Sequence, residues 1–423
     1  MPRWQAFASA LLLLACSSEG LLLESRGRTT PVGQGGVGGT GPGDPPLAAL
    51  QVLIPRQADS FVNSVGVTFG VNNEYEVGVA REALLELRVR HVRGFAQSLP
   101  NFEFRLTTAL AGEELRLLLV VDPRLDLSGK DIPRLVSAHP TLESIEGPND
   151  FDAYGIDLTS EQVSAAMVDL RSGVDGASRK LFLIDAQDSL RAGVGDLSQL
   201  LDYGNFERFR NTDLPGDALD NEKASARSVC GSRPLFVTEC GYSTLAGHAR
   251  SVSEEAAARY LPRLLLSHFA QGIERTYLDD LREGRAPSGP TLAQGLIRYD
   301  GRRKPAFFAL KHLLSRALDA GAAFETTPLE VAISTSADTL RTVLLQRRDG
   351  TTLLLLWNEV ASFDASLGGT LTPEPIAVTV ELPAATPYAL FRPLLGEAAT
   401  EEGLSQRIEL AVPDDVLILE LSR

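Results

Sequence analysis

The chain has 423 residues, of which 44% are hydrophobic and 22% charged, and a formal net charge of -15. That length allows two domains, or one large domain with an appendage, and the composition is that of a soluble globular protein. The acidic balance excludes a phosphate-binding surface of clustered Lys and Arg, so nucleic acid is not an expected partner.

The N-terminal stretch "MPRWQAFASALLLLAC" places Arg3 before a short apolar run and a small residue before Cys16. It reads as a secretory signal peptide, too short for a stable membrane span. Leu13 to Cys16 looks like a bacterial lipobox, in which Cys16 is lipidated and becomes the mature N-terminus; free secretion is the alternative. Residues 17–47 are rich in Gly, Pro, Ser and Thr, with too little apolar surface to fold, and read as a flexible tether. The expected location is the bacterial cell envelope, outside the cytoplasm.

Strand-like runs then alternate with helical patterns. The strand candidates are "SVGVTFGVN", "VRHVRGF", "LRLLLVVD", "LESIEGPN", "KLFLIDA", "LLDYGNF", "PLFVTE" and "IERTYLD". Several are continuously apolar, as parallel strands buried on both faces are. Thr159 and Gln162 form a capping box for a helix that Gly173 is expected to stop. Ser251 and Glu254 stand in the same relation before a second helix, in which Pro262 is expected to introduce a kink. Pro305 suits the first turn of a last one. Eight strands alternating with helices predict a (β/α)8 TIM barrel over residues 48–320. No Gly-rich phosphate loop follows the first strand, which weakens a nucleotide-binding open sheet.

From about residue 325 the runs become "LEVAISTS", "RTVLLQRRDGTTLLLLWNE", "IAVTVELP", "QRIELAV" and "DVLILEL", with Asp349-Gly350 as a hairpin turn. They predict a small all-β domain of sandwich type over residues 321–423. Cys230 and Cys240 flank an extended segment whose ends lie roughly 20 Å apart. A disulfide needs Cα atoms within about 7 Å, so two separate buried thiols are expected. The five His residues show no metal-ligand spacing, and no metal or cofactor is expected.

Barrel chemistry belongs at the C-terminal ends of strands. Those ends carry Asn72, Arg93, Asp122, Asn149 with Asp150, Asp185, Asn205 with Glu207, Glu239, and Tyr277 with Asp279. Two carboxylates on facing strands suit glycoside hydrolysis. One protonates the leaving oxygen, and the other attacks the sugar carbon at a separation of about 5 Å, or activates water at roughly 6.5–9.5 Å. The acid needs a raised pKa, while the nucleophile must stay ionised near a cation such as Arg93. Acids at strand ends are also often merely solvated. Glu146 is expected to balance charge inside the barrel.

"IEGPND" on the fourth run and "FVTECGYST" on the seventh resemble the catalytic segments of the large clan of (β/α)8 retaining glycoside hydrolases, the cellulase-like, xylosidase-like and iduronidase-like families. "FGVNNEYE", "LLELRVRHVRGF", "LLDYGNF" and "GLIRYDGRRKPAFFALKHLL" extend the resemblance over most of residues 60–423. The resemblance implies Glu239 as nucleophile, Asp150 as acid/base, Asn149 on the sugar's 2-hydroxyl and Arg93 bracing the nucleophile. Glu207, Tyr242 and Tyr277 are further candidates for contacting substrate. The sequence also departs from the clan. Asp150 stands where Glu is usual, Glu207 where His is usual and Phe209 where Tyr is usual. The only tryptophans, Trp4 and Trp357, lie outside the barrel segment. The expected protein is a monomeric, exported retaining glycosidase acting on a β-linked poly- or oligosaccharide, membrane-anchored through lipid on Cys16. The alternative is a catalytically impaired barrel serving as a carbohydrate-binding or structural lipoprotein.

Overall fold

A computed structural model describes residues 49–68, 77–95, 115–125, 127–149, 158–186, 193–283 and 293–422. The expected leader with Cys16 and the expected tether, together with Asn72 and Asp150, lie outside these residues. Two short strands, β1 (Gln51–Leu53) and β2 (Arg56–Gln57), precede helix α1 (Ala58–Asn63). The alternating segment follows as β3 (Val65–Thr68), α2 (Val77–Leu87), β4 (His91–Phe95) and β5 (Arg116–Val120). It continues with α3 (Ile132–Ala138), β6 (Leu142–Glu146), α4 (Ser160–Asp175), β7 (Phe182–Ile184) and β8 (Gly204–Phe209). It ends with α5 (Leu219–Cys230), β9 (Leu235–Gly241), α6 (Glu254–Ala270), β10 (Arg275–Leu278) and α7 (Pro305–Ala317).

Among the described residues, β3 to β10 form one parallel sheet of eight strands in the order β7-β6-β5-β4-β3-β10-β9-β8. A parallel bridge between Ile184 and Tyr203 joins its two ends into a barrel. Alternation sorts the side chains. Val67, Val92, Leu117, Leu119, Ile145, Leu183 and Val237 face the helices in the main core. Phe95, Leu118, Val120, Ile184, Phe236 and Tyr277 fill the barrel itself. Burial on both faces is why these runs are apolar throughout rather than at every second position.

The helix ends follow local chemistry, with two corrections. Thr159 and Gln162 do form a capping box, at 3.3 and 2.8 Å. Gly173, however, does not stop α4, which runs on to Asp175. A Cβ at Gly173 would lie 2.2 Å from the Gly129 carbonyl oxygen, so glycine serves a close crossing there. The cap of α6 is Ser253, whose hydroxyl accepts from the Ala256 N–H, not Ser251, which pairs with the Ser243 hydroxyl. Pro305 opens α7 as expected. Cys230 and Cys240 are separate, buried thiols.

The remaining strands are β11 (Leu329–Ser334), β12 (Leu340–Gln346), β13 (Thr352–Asn358), β14 (Phe363–Asp364), β15 (Gly369–Thr370), β16 (Ile376–Phe391), β17 (Ala399–Val412) and β18 (Leu417–Leu421). They build an all-β domain, mainly from one curled sheet in the order β1-β11-β16-β18-β13-β12-β2 with β17 on β16, while β14 and β15 pair as a separate two-stranded ribbon. Strand β16 makes the curl. Its first half pairs β11, its second half pairs β18, and its register against β17 shifts between Glu381 and Thr386. Gly350, at φ 89°, turns the β12–β13 hairpin. On β13, Leu354 and Leu356 enter the domain's own core, while Leu353, Leu355 and Trp357 pack into the barrel's core.

Residues 51–57 belong to this sheet, not to the barrel, where the sequence reading had placed them. Strand β1 pairs β11 and β2 pairs β12. These strands are only three and two residues long. Their partners lie at the far end of the chain, so no local pattern announces them. A buried arginine ties the two parts together. Arg263 of α6 donates to the Val360 and Asp414 carbonyls, both at 3.0 Å, to Ser362 Oγ at 3.3 Å and to Glu359 Oε1 at 2.7 Å.

Candidate active site

The chemistry-bearing side chains gather at the C-terminal ends of β4, β6, β8, β9 and β10. Strand β9 sets the key position by an irregularity. Asn205 and Phe206 of β8 face Phe236 and Val237, but the next residue, Glu207, faces Glu239, so Thr238 is an extra residue on β9. The β9–β10 ladder shifts at the same place, between Thr276 and Leu278. Strict alternation from the inward Phe236 would turn Glu239 toward the helices. The bulge re-aims it into the barrel mouth.

Arg93 of β4 meets Glu239 there. Its Nη1 donates to Glu239 Oε1 at 2.6 Å, while Nε and Nη2 donate to the two oxygens of Glu146 at 2.6 and 3.0 Å. The Arg93 and Glu146 side chains have no exposed surface, and Glu239 has 13%. Glu239 is therefore the carboxylate through which this cluster reaches the surface. Asn149 closes the arrangement, accepting from Arg93 Nη2 at 2.9 Å and offering its amide nitrogen to Glu239 Oε1 at 3.4 Å. Beneath them, Asn205 donates to Glu146 at 3.1 Å and to Thr238 Oγ1 at 3.2 Å.

The electrostatics follow from this packing. Burial works against the charge of Arg93, but the Glu146 and Glu239 carboxylates outweigh it and raise its pKa. Burial pushes the Glu146 carboxyl up, against the pull of Arg93. Asp279, at the end of β10, is raised well above the usual carboxylate range by burial and then by the Glu239 charge beside it. Burial thus disposes Asp279 to keep its proton.

The sequence candidates separate into those brought together and those turned elsewhere. Glu239, Arg93 and Asn149 form the hydrogen-bonded group, and Glu207 is level with Glu239 on the neighbouring strand. Asp150, which follows Asn149, lies outside the described residues. Tyr242 does not face the barrel mouth. It is 1% exposed, its hydroxyl donates to the Asp213 carbonyl at 2.9 Å, and its ring packs on Tyr260. Tyr277 is fully buried in the barrel interior, against Phe236 and over Gly66, so it supports the site from below and cannot touch a substrate. Burial pushes its phenol up to about 12. Both tyrosines were chosen for their place in sequence after a strand end, which does not say which way a ring points.

The sequence reading passed over Arg124. It clasps Asp122 through Nε and Nη2 and donates from Nη2 to the Asn149 carbonyl at 2.6 Å. "DPR" carried a signal, because an Asp two residues before another residue commonly accepts that residue's N–H. Asp122 Oδ1 accepts the Arg124 N–H in this way at 2.9 Å. Among the described residues, no group of three or more His, Cys, Asp or Glu side chains could hold a metal ion.

No protein-family model matches the sequence. No curated protein matches it. Solved structures do match. A family 39 glycoside hydrolase from the gut symbiont Bacteroides cellulosilyticus WH2 superposes with a TM-score of 0.61 at 12% identity, covering 88% of this chain and 83% of its own. A GH30 endoxylanase from Clostridium papyrosolvens C71 superposes with a TM-score of 0.55 at 10% identity, covering 89% of this chain and 100% of its own. The chain thus has the fold of these glycoside hydrolases, a (β/α)8 barrel joined to an all-β domain.

Proposed function

We propose that the protein is an exported retaining glycoside hydrolase acting on a β-linked poly- or oligosaccharide, with Glu239 as nucleophile and Asp150 as acid/base. The observation that carries this reading is the presentation of Glu239, a partly exposed carboxylate at the mouth of the barrel with a fully buried arginine behind it. Arg93 Nη1 and the Asn149 amide nitrogen both donate to Glu239 Oε1, at 2.6 and 3.4 Å, and so hold this carboxylate oriented at the mouth.

In the first step Glu239 attacks the anomeric carbon while Asp150 protonates the departing glycosidic oxygen, leaving a glycosyl ester on Glu239. In the second, Asp150 takes a proton from water, the oxygen of that water attacks the same carbon, and the ester bond breaks. Two inversions give net retention. The two carboxyl groups suffice for these steps, and no cofactor enters them. Export and attachment through lipid on Cys16 would place the barrel outside the cytoplasm on the tether of residues 17–47. A monomer suffices for this site.

One neighbour of the fold is an endoxylanase, so β-xylosides and xylan head the substrate panel, followed by β-glucosides and β-glucans. Turnover by the parent and its loss in Glu239→Gln is the expected result. Equal turnover by both, or by neither across the panel, removes the proposal. A second reading, a non-catalytic carbohydrate-binding or structural lipoprotein, is favoured by the Asp at position 150, one methylene shorter than the Glu expected there. Glycan binding without turnover, in parent and Glu239→Gln alike, would select it.

A further inference from the structure

Where the last turns of α7 meet the β domain, a cavity of about 210 Å³ opens between His312, Arg316, Arg347, Phe391 and Glu397. Helix α7 starts beyond the C-terminal end of β10 and runs back along the barrel. Just past its end the Asp319 N–H donates at 3.3 Å to Asp59 of α1, the helix that precedes the first barrel strand. The cavity therefore lies toward the opposite end of the barrel from Glu239.

Its two arginines are held by a shared acid. Arg316 donates from Nη1 to Glu420 Oε2 at 3.3 Å and from Nη2 to the Glu397 carbonyl at 3.0 Å. Its guanidinium carbon lies 3.5 Å from the centre of the Phe391 ring, which fixes the plane of the fork. Arg347 Nη2 lies 3.1 Å from Glu420 Oε1, so one carboxylate faces two guanidinium groups. Among the described residues the Arg347 side chain has no other partner, and its Nε is buried without a hydrogen bond. An arginine carries five N–H donors, so most of the capacity of this one is unspent.

The surroundings do not restore neutrality. Lys311 lies 3.8 Å from Glu397 and 3.3 Å from Glu86, which Arg303 also pairs. Among the described residues this network holds four cations, Arg303, Lys311, Arg316 and Arg347, against three carboxylates, Glu86, Glu397 and Glu420. One positive charge is left over on a chain whose net charge is -15. A single excess charge matches one carboxylate rather than a dianionic phosphate, and the guanidinium fork fits a carboxylate in plane and spacing. Pockets for drug-sized ligands run to about 300–1,000 Å³, so this one takes a small acid. We propose that the cavity binds a small carboxylate monoanion, a free short-chain acid or a single sugar acid, through Arg347 and Arg316. The site is separate from Glu239 and does not depend on the glycosidase reading.

Calorimetric titration of the full chain at low salt tests this, with D-glucuronate, acetate, D-glucose and inorganic phosphate as probes. D-Glucuronate is expected to bind the parent and Glu239→Gln alike, with a Kd on the order of 1 mM that rises with added salt. D-Glucose, a similar ring without the charge, is expected not to bind. Arg347→Gln is expected to weaken D-glucuronate by about tenfold or more. Should that variant fail to fold, Arg347→Lys keeps the charge but gives up the fork, and a loss of about threefold or more is expected. Acetate bound as tightly as D-glucuronate marks a site for short-chain acids, and tighter D-glucuronate marks one for a sugar acid. Binding of neither carboxylate to the parent, an affinity unchanged by the Arg347 variants, or phosphate bound more tightly than both acids overturns the proposal. Binding lost in Glu239→Gln but kept in Arg347→Gln would put the ligand at the barrel mouth and overturn it as well.

Discussion

Arg93 and Glu146 are joined by hydrogen bonds of 2.6 and 3.0 Å where neither side chain has any exposed surface. The same guanidinium holds Glu239 at 2.6 Å. Removing the cation would leave a buried carboxylate uncompensated and a second one beside it. Arg93→Leu is therefore expected to destabilise the fold by about 3–5 kcal/mol, read by urea denaturation. Arg93→Lys keeps the charge but cannot fork, and is expected to recover only part of that loss. A variant as stable as the parent would contradict this account of the cluster.

Glu239→Gln should separate stability from turnover. Two carboxylates, Glu146 and Glu239, share Arg93 and repel one another across it. Neutralising Glu239 relieves that repulsion, so the melting temperature is expected to stay level or rise. Activity is expected to fall by on the order of a thousandfold or more, as when a member of a concerted catalytic group is removed. A lower melting temperature would make Glu239 a structural partner of Arg93 instead.

Acid should weaken the protein through the opposite end of the barrel. His91 Nδ1 lies 3.3 Å from Glu143, whose carboxylate also receives Arg275 at 2.9 Å. Burial lowers the His91 imidazole from 6.5 to about 4. Glu143, against the push of burial, is pulled from 4.5 to about 2 by His91 and Arg275. Below pH 6.5 the unfolded chain takes up a proton at His91 that the folded protein refuses until near pH 4, so stability falls as pH falls across that window. A further loss follows between pH 4.5 and 2 as Glu143 is protonated. His91→Gln is expected to recover about 3 kcal/mol of the acid-induced loss at pH 4. His139 and His268 are also lowered by burial, and Asp59, against the push of burial, is held low by Arg90, so part of the slope remains in the variant. Denaturation curves from pH 7 to 4 measure it, and parallel slopes in parent and variant would refute it.

Arg263 should govern the joint between barrel and β domain. It is fully buried, and its bonds to Glu359, Ser362 and the Val360 and Asp414 carbonyls all cross from α6 to the β domain. Arg263→Ala leaves Glu359 buried without that cation and is expected to cost about 3–5 kcal/mol. Calorimetry should show one transition in the parent and a lowered or split one in the variant.

Lipidation should depend on a single residue. Metabolic labelling with a radiolabelled fatty acid in a bacterial host is expected to mark the parent and not Cys16→Ala. Absence of label in the parent would leave free secretion as the route.

Much of this was legible before any coordinates. The eight barrel strands were readable because burial on both faces writes itself as continuous apolar runs, and the strand ends delivered Arg93, Asn149 and Glu239. The bulge at Thr238 was not, since "FVTEC" reads as plain alternation and only the neighbouring registers reveal the extra residue. Tyr242 shows the converse, a strand-end aromatic that the fold turns to Tyr260. Arg124 escaped because its partner Asn149 belongs to a different strand end.

Strands β1 and β2 enter the β sheet before the barrel begins, and β11 to β13 with β16 to β18 complete it after the barrel ends. Topologically the barrel is an insertion inside the β domain. During synthesis the first two strands would leave the ribosome without partners and wait for the entire barrel to be made. Cutting the gene at the end of α7 would therefore yield a barrel with two orphaned strands at its front, one of which, β1, carries the exposed apolar side chains Val52 and, just beyond it, Ile54. A cleaner excision starts at Ala58 and also replaces the Arg263 contacts, whereas a circular permutant opened within the barrel would let the β domain be translated as one unbroken stretch.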